Sequence, residues 1–296
     1  MNIIIYSNCA GDIIKHMLET HMVTKEKFNV EYVVNYEKLS DDQVSKDDLD
    51  LLSKCNIFIY QPFNKPHDYS EYDVTNILSK LPENCLVLRI NYYRFKGFWY
   101  NNTYRPYSSY RGYTFNENVT THGIHDSFED YHSNDVDDIK LKIDNIDISK
   151  SEINNYFNEM LTEFRYIDDN SDVNMYKFLL EHYKTKHLFH DPFHPTLIFF
   201  YEVFRQLVFK LLNIKLKDED EEFLSLLGHI DLHHWAVPVL PIIKKHLELD
   251  LPEKIYAFHE GAGHPHTFKL SVYDYYFISL SKKNFDIFLL ESELKG

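Results

Sequence analysis

The chain has 296 residues, and its 31 Lys and Arg against 46 Asp and Glu give a formal net charge of −15. With 44% hydrophobic and 26% charged residues it has the composition of a globular protein, so wholesale disorder and fibrous repeats are excluded. The excess of negative charge repels phosphate backbones, and we therefore expect no nucleic-acid partner.

Three features predict a cytoplasmic protein with no membrane span. The cysteines are few and odd in number, without a CxxC pair, which is typical of a reducing compartment: they are Cys9, Cys55 and Cys85. The most apolar run, Leu197 to Leu212, contains charged residues and falls short of a membrane span. The run from Met1 to Tyr6 lacks the basic region and the apolar length of a signal peptide.

The N-terminal third alternates short apolar runs with polar or helical stretches, the pattern of βαβ units. The runs are Asn2 to Tyr6, Val30 to Val34, Asn56 to Tyr60 and Leu86 to Ile90. Each is apolar nearly throughout, as parallel strands covered on both faces should be. Helices are predicted between them at Ile13 to Met22, Leu49 to Ser53 and Val74 to Leu81. The expected fold class is α/β, an N-terminal parallel sheet flanked by helices.

The remainder of the chain predicts a mostly helical C-terminal part. An acidic, polar stretch at about 134–172 is interpreted as a surface excursion or helical insertion. Helices are expected at Asn174 to Tyr183, His194 to Leu212 and Val239 to Leu247, and the runs between Lys269 and Leu290 fit strand or helix. We predict an α/β domain over residues 1–212 and a helical or mixed extension over 213–296, packed on the same domain.

The turn after the first predicted strand reads Ser7-Asn8-Cys9-Ala10-Gly11-Asp12. The dipole at a helix start favours the thiolate of a cysteine, and the N–H groups there can hold an oxyanion. Ligands of open parallel sheets bind beyond the carboxyl ends of the strands, where this turn is expected. We interpret Cys9 as a nucleophile; the alternative is a small residue in a tight turn.

A second motif, Asp191-Pro192-Phe193-His194-Pro195-Thr196, precedes the apolar stretch. Pro195 suits the first position of a helix, so we expect His194 at the helix cap. Asp191 could orient the imidazole and stabilise its charged form. An ordinary helix entry is the alternative interpretation of the same residues.

The nucleophile turn and the late Asp-x-x-His-Pro together resemble the pattern of SGNH-type hydrolases, in which Gly-Asp-Ser supplies the nucleophile. Here Ser-Asn-Cys takes that place. The Asn-Cys turn, Ile59 to Pro62, the aromatic segment after the fourth strand and Phe193 to Thr196 together resemble the WcbI-like polysaccharide-biosynthesis family. The resemblance covers about Asn2 to Leu212, and Ser7 stands where the family usually has glycine.

This resemblance implies a coenzyme-A-binding acetyltransferase that acts on sugars of surface glycans, with an SGNH-like or flavodoxin-like sheet. It implies acetyl-CoA as co-substrate and residues 1–212 as the catalytic, coenzyme-A-binding domain. Cys9 and His194 would be the reacting pair, with Gln61 a site residue of open role. From their places after predicted strands, Asn8, Gln61 and Asn91 are candidate ligands of an oxyanion or substrate.

Residues 91–116 are rich in aromatic rings and contain four basic residues but no acidic one; the basic residues are Arg94, Lys96, Arg105 and Arg111. This local reversal of charge suits a ligand with phosphates and a stacking base, such as coenzyme A or a nucleotide sugar, with Trp99 as a candidate stacking residue. Single-stranded nucleic acid and a Tyr-rich loop packed on the core are the alternatives.

Three groups of histidines stand apart from these motifs. His122 and His125 could supply a base for the acceptor. The other two groups could ligate a metal ion or line an acceptor site: His229, His233 and His234, and His259, His264 and His266. Neither has a recognised zinc spacing, so no metal is expected.

The leading hypothesis is transfer of an acetyl group from acetyl-CoA to a hydroxyl or amine of a carbohydrate or nucleotide sugar. The acyl group passes either through acetyl-Cys9 or directly to an acceptor deprotonated by His194. An SGNH-like thiol or carbohydrate esterase, and a non-catalytic nucleotide-sugar or glycan-binding module, are the alternative functions.

Overall fold

The computed structural model describes residues 1–35, 46–62, 74–100, 103–104, 120–121, 135–231, 236–261, 264–280 and 288. Backbone alone is described at 46–49, 75–76, 103–104, 120–121, 255–268 and 279–280. The chain divides into two compact units. Unit 1 comprises Met1–Tyr92, Arg165–Phe178 and Leu197–Asp231, and unit 2 comprises Tyr93–Phe164, Leu179–Thr196 and Leu232–Gly296.

The strands are, in chain order, β1 (Asn2–Ser7), β2 (Asn29–Val34), β3 (Ile57–Tyr60), β4 (Leu86–Arg89), β5 (Thr103–Tyr104), β6 (Thr120–Thr121), β7 (Phe189–Asp191), β8 (His194–Pro195), β9 (Lys254–Gly261) and β10 (His264–Ser271). The helices are α1 (Ala10–Thr20), α2 (Lys46–Ser53), α3 (Val74–Leu78), α4 (Val136–Asp144), α5 (Lys150–Asp168), α6 (Tyr176–His182), α7 (Leu197–Leu212), α8 (Glu221–Leu226), α9 (Pro241–Leu247) and α10 (Val272–Leu280). No helix in the described part of the chain is long and apolar enough to cross a membrane.

The predicted parallel sheet is present in unit 1, and the α/β fold class is confirmed. Its strands lie in the order β2-β1-β3-β4, all parallel, with Ile3 opposite both Val30 and Ile57. Because the chain crosses from β1 to neighbours on either side, β1 and β3 flank the point where the strand order reverses. Ligands of such sheets bind at this reversal, beyond the carboxyl ends of the strands.

Helices cover the two faces of the sheet as the apolar spacing predicts. Helix α1 buries Ile13, Ile14, Met17 and Leu18. The opposite face, with Ile4, Tyr6 and Phe58, packs with α2 and α3 through Leu52, Ile77 and Leu78. One predicted position was wrong: His21 leaves the helix in an extended conformation, so Met22 lies beyond α1 and is 76% exposed.

The helix predicted from His194 begins later, at Leu197. His194 and Pro195 instead form β8, antiparallel to β7. The physical reason is local, because a residue before proline is disfavoured in the helical region and favours an extended backbone. Thr196 holds this arrangement: its N–H donates to the Leu188 carbonyl at 3.0 Å and its hydroxyl to the His187 carbonyl at 2.9 Å.

Unit 2 is built around an aromatic core. Phe95 lies at its centre, with ring centroids 5.1 Å from Phe98, 5.6 Å from Phe157 and 5.7 Å from Phe189. The described part of the acidic stretch, 135–172, is mostly helical, and α4 buries Ile139 and Ile143 while Leu141 is exposed. Helices α9 and α10 pack against α4, and an antiparallel hairpin of β9 and β10 precedes α10. Of the last predicted run, only residue 288 is described.

Candidate active site

The turn that carries Cys9 is shaped by Asn8. The Asn8 carbonyl accepts the Gly11 N–H at 2.8 Å, and its side-chain Oδ1 accepts the Ala10 N–H at 3.1 Å. These bonds satisfy N–H groups that the first turn of a helix otherwise leaves unpaired. Cys9 follows in helical conformation and is exposed, and none of the three cysteines is in a disulfide bond. The turn therefore presents the thiol at the start of α1, as predicted.

Gln61, directly after β3, hydrogen-bonds to the same turn from the neighbouring strand. Its Oε1 accepts the Ser7 hydroxyl at 2.8 Å and the Asn8 N–H at 3.1 Å. A peptide N–H can only donate, so the atom facing it must be the oxygen of the carboxamide. The Nε2 amide of Gln61 consequently points away from the turn, with its two N–H groups as donors. The side chain is almost wholly buried, which holds this orientation.

The hydrogen bonds show which N–H groups of the Cys9 turn already have partners. We expected peptide N–H groups near Cys9 to stabilise an oxyanion, with Asn8 and Gln61 as further candidate donors. The Asn8 N–H is bonded to Gln61 and the Ala10 N–H to the Asn8 side chain, so both are already satisfied. In the Gln61 carboxamide this network uses Oε1, so Nε2 is the atom of that side chain that can donate.

Tyr32 and Gly11 fix the distance between α1 and the sheet. The Tyr32 hydroxyl donates to the Asn8 carbonyl at 2.8 Å. A Cβ on Gly11 would lie 2.7 Å from Cε2 of Tyr32 and 3.0 Å from Cγ2 of Ile5, closer than carbon atoms approach without displacement. Glycine at this position therefore lets the Cys9 turn come close enough for the tyrosine to bond it.

In unit 2, Asp191 and His194 form the hydrogen-bonded pair that the sequence predicts. Nδ1 of His194 lies 2.9 Å from each carboxylate oxygen of Asp191. Oδ1 also accepts the N–H groups of Phe193 at 2.7 Å and of His194 at 2.8 Å. The carboxylate is 2% exposed and the imidazole 18%. With Nδ1–H donating to Asp191, a neutral imidazole keeps Nε2 as the basic nitrogen.

Two residues of the aromatic, basic segment, Phe95 and Lys96, lie against the residues between Asp191 and His194. The Phe95 N–H donates to the Pro192 carbonyl at 2.8 Å, and Nζ of Lys96 lies 5.9 Å from the centre of the Phe193 ring. A lysine charge is therefore held beside the residues that precede His194. Arg94 differs, because its guanidinium donates to Glu163 at 2.9 Å and is already paired with a carboxylate.

The comparison with known families supports the resemblance to the WcbI family. The family model described as polysaccharide biosynthesis enzyme WcbI matches residues 2–213. The chain belongs to the WcbI family. The matched range includes the Cys9 turn, Gln61 and the Asp191–His194 pair. Among curated protein sequences, no match to this chain was found.

A solved structure has the same fold over most of both chains. It is a structure of WcbI, described as a novel polysaccharide biosynthesis enzyme, in its native form without a disulfide bond between coenzyme A and one of its cysteines. The TM-score is 0.65 at 14% sequence identity, and the match covers 96% of this chain and 89% of that one. The shared fold thus extends well beyond residue 213, where the WcbI family match ends.

Two further predicted site residues of the WcbI-matched region are buried. Trp99 is 0% exposed, with its ring packed on Phe98 and its carbonyl accepting the Tyr156 hydroxyl at 3.2 Å. Its indole is therefore no open stacking surface for a ligand. Asn91, just after β4, is also buried, and its Nδ2 donates to the Ile167 carbonyl at 2.5 Å. Both side chains contribute to packing in this structure.

Four predicted site residues lie outside the described residues: His122, His125, Arg105 and Arg111. Of the first metal-candidate group, His229 lies in a 3₁₀ turn (Gly228–Ile230), and positions 233 and 234 are outside as well. Where side chains are described, no three His, Cys, Asp or Glu residues are arranged to hold a metal ion.

Sequence reasoning missed Tyr32, Glu163 and the role of Ser7. Tyr32 lies within β2, where the sequence pattern predicts a core residue and not a hydrogen-bond donor to the Cys9 turn. Glu163 is 69 positions from Arg94, with no local pattern to connect them. Ser7 did carry a signal, because it replaces the glycine usual in the family. Its hydroxyl makes a bond to Gln61 that glycine cannot make.

Proposed function

We propose that this enzyme transfers an acetyl group from acetyl-CoA to a hydroxyl or amine of a surface-glycan sugar or nucleotide sugar. The observation that carries the proposal is the Asp191–His194 pair, in which a buried carboxylate holds Nδ1 and leaves Nε2 to move a proton. Membership of the WcbI family, and the coenzyme A named for its solved relative, support coenzyme A as the acyl carrier.

In the covalent form of the proposal, Cys9 is the nucleophile. Its thiolate attacks the thioester carbonyl, and the bond from that carbon to the sulfur of coenzyme A breaks. Coenzyme A leaves as the thiol, with its proton supplied by His194. The sugar hydroxyl or amine then attacks acetyl-Cys9, gives its proton to Nε2 of His194, and releases the thiolate. In the direct form the sugar attacks acetyl-CoA itself and Cys9 lines the site.

Gln61 is the proposed oxyanion donor in either form. The developing negative charge on the carbonyl oxygen needs N–H groups that are already oriented. Oε1 accepts hydrogen bonds from the Ser7 hydroxyl and the Asn8 N–H. These bonds hold the carboxamide in one orientation, so the Nε2 amide need not reorient during the reaction. Gln61→Glu would place an acceptor where a donor is needed, and we propose that it lowers kcat by about 100-fold or more.

Lys96 is the proposed contact for a phosphate of coenzyme A among the described basic residues. Its ammonium has no carboxylate partner there, whereas Arg94 is paired with Glu163. Arg105 and Arg111 stay candidates for the other phosphates.

Thermal denaturation with coenzyme A and acetyl-CoA tests the contact of Lys96 with coenzyme A, because specific binding raises the melting temperature. Desulfo-CoA and ATP are the control ligands. Lys96→Gln should reduce the shift, while Lys245→Gln on the exposed face of α9 should not.

The chemistry is tested by mass spectrometry of the intact protein after incubation with acetyl-CoA. The covalent form predicts one acetyl group on Cys9, absent in Cys9→Ser. Asp191→Asn removes the charge that holds the imidazole and should slow acyl transfer by about 100- to 10,000-fold, whereas His246→Ala should leave it unchanged. Full activity of Cys9→Ala would support direct transfer.

Two outcomes would favour the alternative functions. Acetate release from acetylated sugars, independent of coenzyme A, would identify an esterase. Binding of a nucleotide sugar with no acyl chemistry, unaffected by His194→Gln, would identify a non-catalytic binding module.

A further inference from the structure

Asn35, the first residue after β2, connects the carboxyl ends of three strands. Its N–H donates to the Ser7 carbonyl at the end of β1, at 3.0 Å, and continues the pairing of β2 with β1. Its side-chain Nδ2 donates to the Gln61 carbonyl, directly after β3, at 3.3 Å. Because β2 and β3 lie on opposite sides of β1, this second bond joins strand ends that are not neighbours in the sheet. Asn35 therefore fixes the main chain of Gln61 relative to the end of β1.

The carboxamide of Asn35 is buried in a single orientation. A carbonyl oxygen can only accept, so the atom that faces the Gln61 carbonyl must be the NH2 group, and Oδ1 lies on the other side. Asn35 is 3% exposed, and its Oδ1 is buried without a hydrogen-bond partner among the residues that the structure describes. A buried oxygen without a partner destabilises the folded state, so stability alone does not explain an amide at this position.

The bond from Asn35 reaches the residue whose side chain hydrogen-bonds to the Cys9 turn. Oε1 of Gln61 accepts the Ser7 hydroxyl at 2.8 Å and the Asn8 N–H at 3.1 Å. Ser7 thus contacts Asn35 through its carbonyl and Gln61 through its hydroxyl, and these three residues form a closed set of hydrogen bonds. Accurate placement matters for a residue that stabilises a transition state, because a displacement of about 1 Å can lower a rate about 100-fold.

We propose that Asn35 is a positioning residue for Gln61 during acyl transfer. The inference rests on the proposed function, in which Gln61 is the oxyanion donor. Asn35 acts through that residue: the bond from Nδ2 sets where the Gln61 main chain lies, and with it where the Nε2 amide meets the developing negative charge. Loss of this bond should therefore affect the chemical step more than the binding of acetyl-CoA.

Asn35→Asp tests the bond with little change of shape. The carboxylate places an acceptor against the Gln61 carbonyl, and the bond is lost. A protonated carboxyl has an O–H that can donate, and burial favours this neutral form, so the defect should lessen as the pH falls. Asn29→Asp makes the same substitution at the exposed start of β2 and should behave as wild type. Asn35→Ala removes the donor at every pH.

Kinetics of the full-length protein measure the effect, with acetyl-CoA as donor and glucosamine as the acceptor probe because it offers both hydroxyls and an amine. The rate is that of coenzyme A release. At about pH 8, Asn35→Asp and Asn35→Ala should each lower kcat by about 10- to 100-fold and leave KM for acetyl-CoA within about twofold of wild type. The kcat of Asn35→Asp relative to wild type at the same pH should rise towards about pH 6, while that of Asn35→Ala should not.

A double-mutant cycle establishes whether Asn35 acts through Gln61. Gln61→Leu removes the carboxamide that Asn35 positions. In that background Asn35→Asp should lower kcat by less than about twofold, because two residues that act as one unit are not additive. Multiplication of the two separate effects would overturn the inference.

Hydrogen exchange at the Asn8 N–H is a second readout that needs no acyl transfer. This N–H is bonded to Gln61, so it should exchange faster in Asn35→Ala than in wild type or Asn29→Asp. Wild type that releases no coenzyme A would count against the proposed function, and the exchange rate would still decide whether Asn35 positions Gln61. Circular dichroism establishes that each variant is folded, and Asn35→Asp at low pH serves if Asn35→Ala is not. Wild-type kcat in a folded Asn35→Ala, or wild-type exchange at Asn8, would overturn the inference.

Discussion

At the scale of single residues, the three cysteines have very different environments. Cys55 is buried, its thiol donates to the Ile57 carbonyl at 3.1 Å, and burial raises its pKa to about 12. Burial also raises the pKa of Cys85. Cys9 is exposed at the start of α1. Only the thiolate is reactive, so the difference in environment should make Cys9 the thiol that reagents reach.

We therefore expect iodoacetamide to add one carbamidomethyl group to the native protein, on Cys9. Peptide mass spectrometry after brief labelling at about pH 8 would locate it, since burial favours the protonated, unreactive form of the other two thiols. Cys9→Ser should remove the adduct, and labelling in urea should modify all three cysteines. First labelling at Cys55 or Cys85 in the native protein would contradict the expectation.

His21 makes folding stability depend on pH. Its ring lies 5.2 Å from that of Phe204 and 4.8 Å from that of Phe223, and Nδ1 accepts the Val23 N–H at 3.2 Å. Burial lowers the pKa of His21 below 6.5, partly opposed by Asp220. The folded state thus favours the neutral ring, so this contribution is complete above pH 6.5 and is lost as the pH falls through the folded pKa.

The expected outcome is that wild type loses more unfolding free energy than His21→Phe between about pH 7.5 and about pH 5. The variant removes the titrating group but keeps a ring in the aromatic pocket. Urea unfolding at several pH values measures both proteins. A difference between them that stays constant over this range would show that His21 does not titrate with folding.

At the scale of elements, the packing of α1 on β2 controls the Cys9 turn. Gly11→Ala would place Cβ 2.7 Å from Cε2 of Tyr32. Alanine is the better helix former by about 1 kcal/mol, but overpacking costs about 1–3 kcal/mol, so we expect a net destabilisation. Urea unfolding measures it, with Asp12→Ala on the exposed face of the same helix as the control.

A double-mutant cycle identifies the cause of that loss. Tyr32→Leu removes the ring that the new methyl group meets, so the cost of Gly11→Ala should largely disappear in its presence. Additive effects of the two substitutions would place the strain elsewhere in the helix.

At the scale of the whole molecule, the C-terminal residues belong to the packing of unit 2. The Val237 N–H donates to the His190 carbonyl at 2.7 Å, in the strand that carries Asp191. The Tyr273 hydroxyl donates to Asp144 at 2.8 Å, at the end of α4. These contacts join residues beyond 213 to segments of the unit that lie earlier in the chain.

A fragment ending at residue 213, where the family match ends, should therefore unfold at a lower temperature than the full chain. Loss of α9 and α10 removes two elements that pack against α4, and the fragment should bind a hydrophobic dye. Calorimetry and dye fluorescence test this. A fragment as stable as the whole chain would support the division at residue 212 predicted from the sequence, which otherwise stays a prediction.

The sequence by itself determined the strands of the sheet, the helices between them and the Asp191–His194 pair. Each of these depends on residues close together in the chain: β-branched runs set the strands, and three positions separate the carboxylate from the imidazole. Local sequence patterns are therefore sufficient to predict such features. The start of α7 was wrong because two local rules competed at Pro195, and the extended preference of the preceding residue prevailed.

Only the tertiary structure decided how distant residues combine. Gln61 meets Ser7 across 54 positions, Arg94 meets Glu163 across 69, and the hairpin register sets His259 opposite His266. Aromatic composition likewise fits a ligand platform or a core, and packing placed Trp99 in the core. The physical reason is that such contacts follow from which elements pack together, and many pairings of the same elements satisfy the same local pattern.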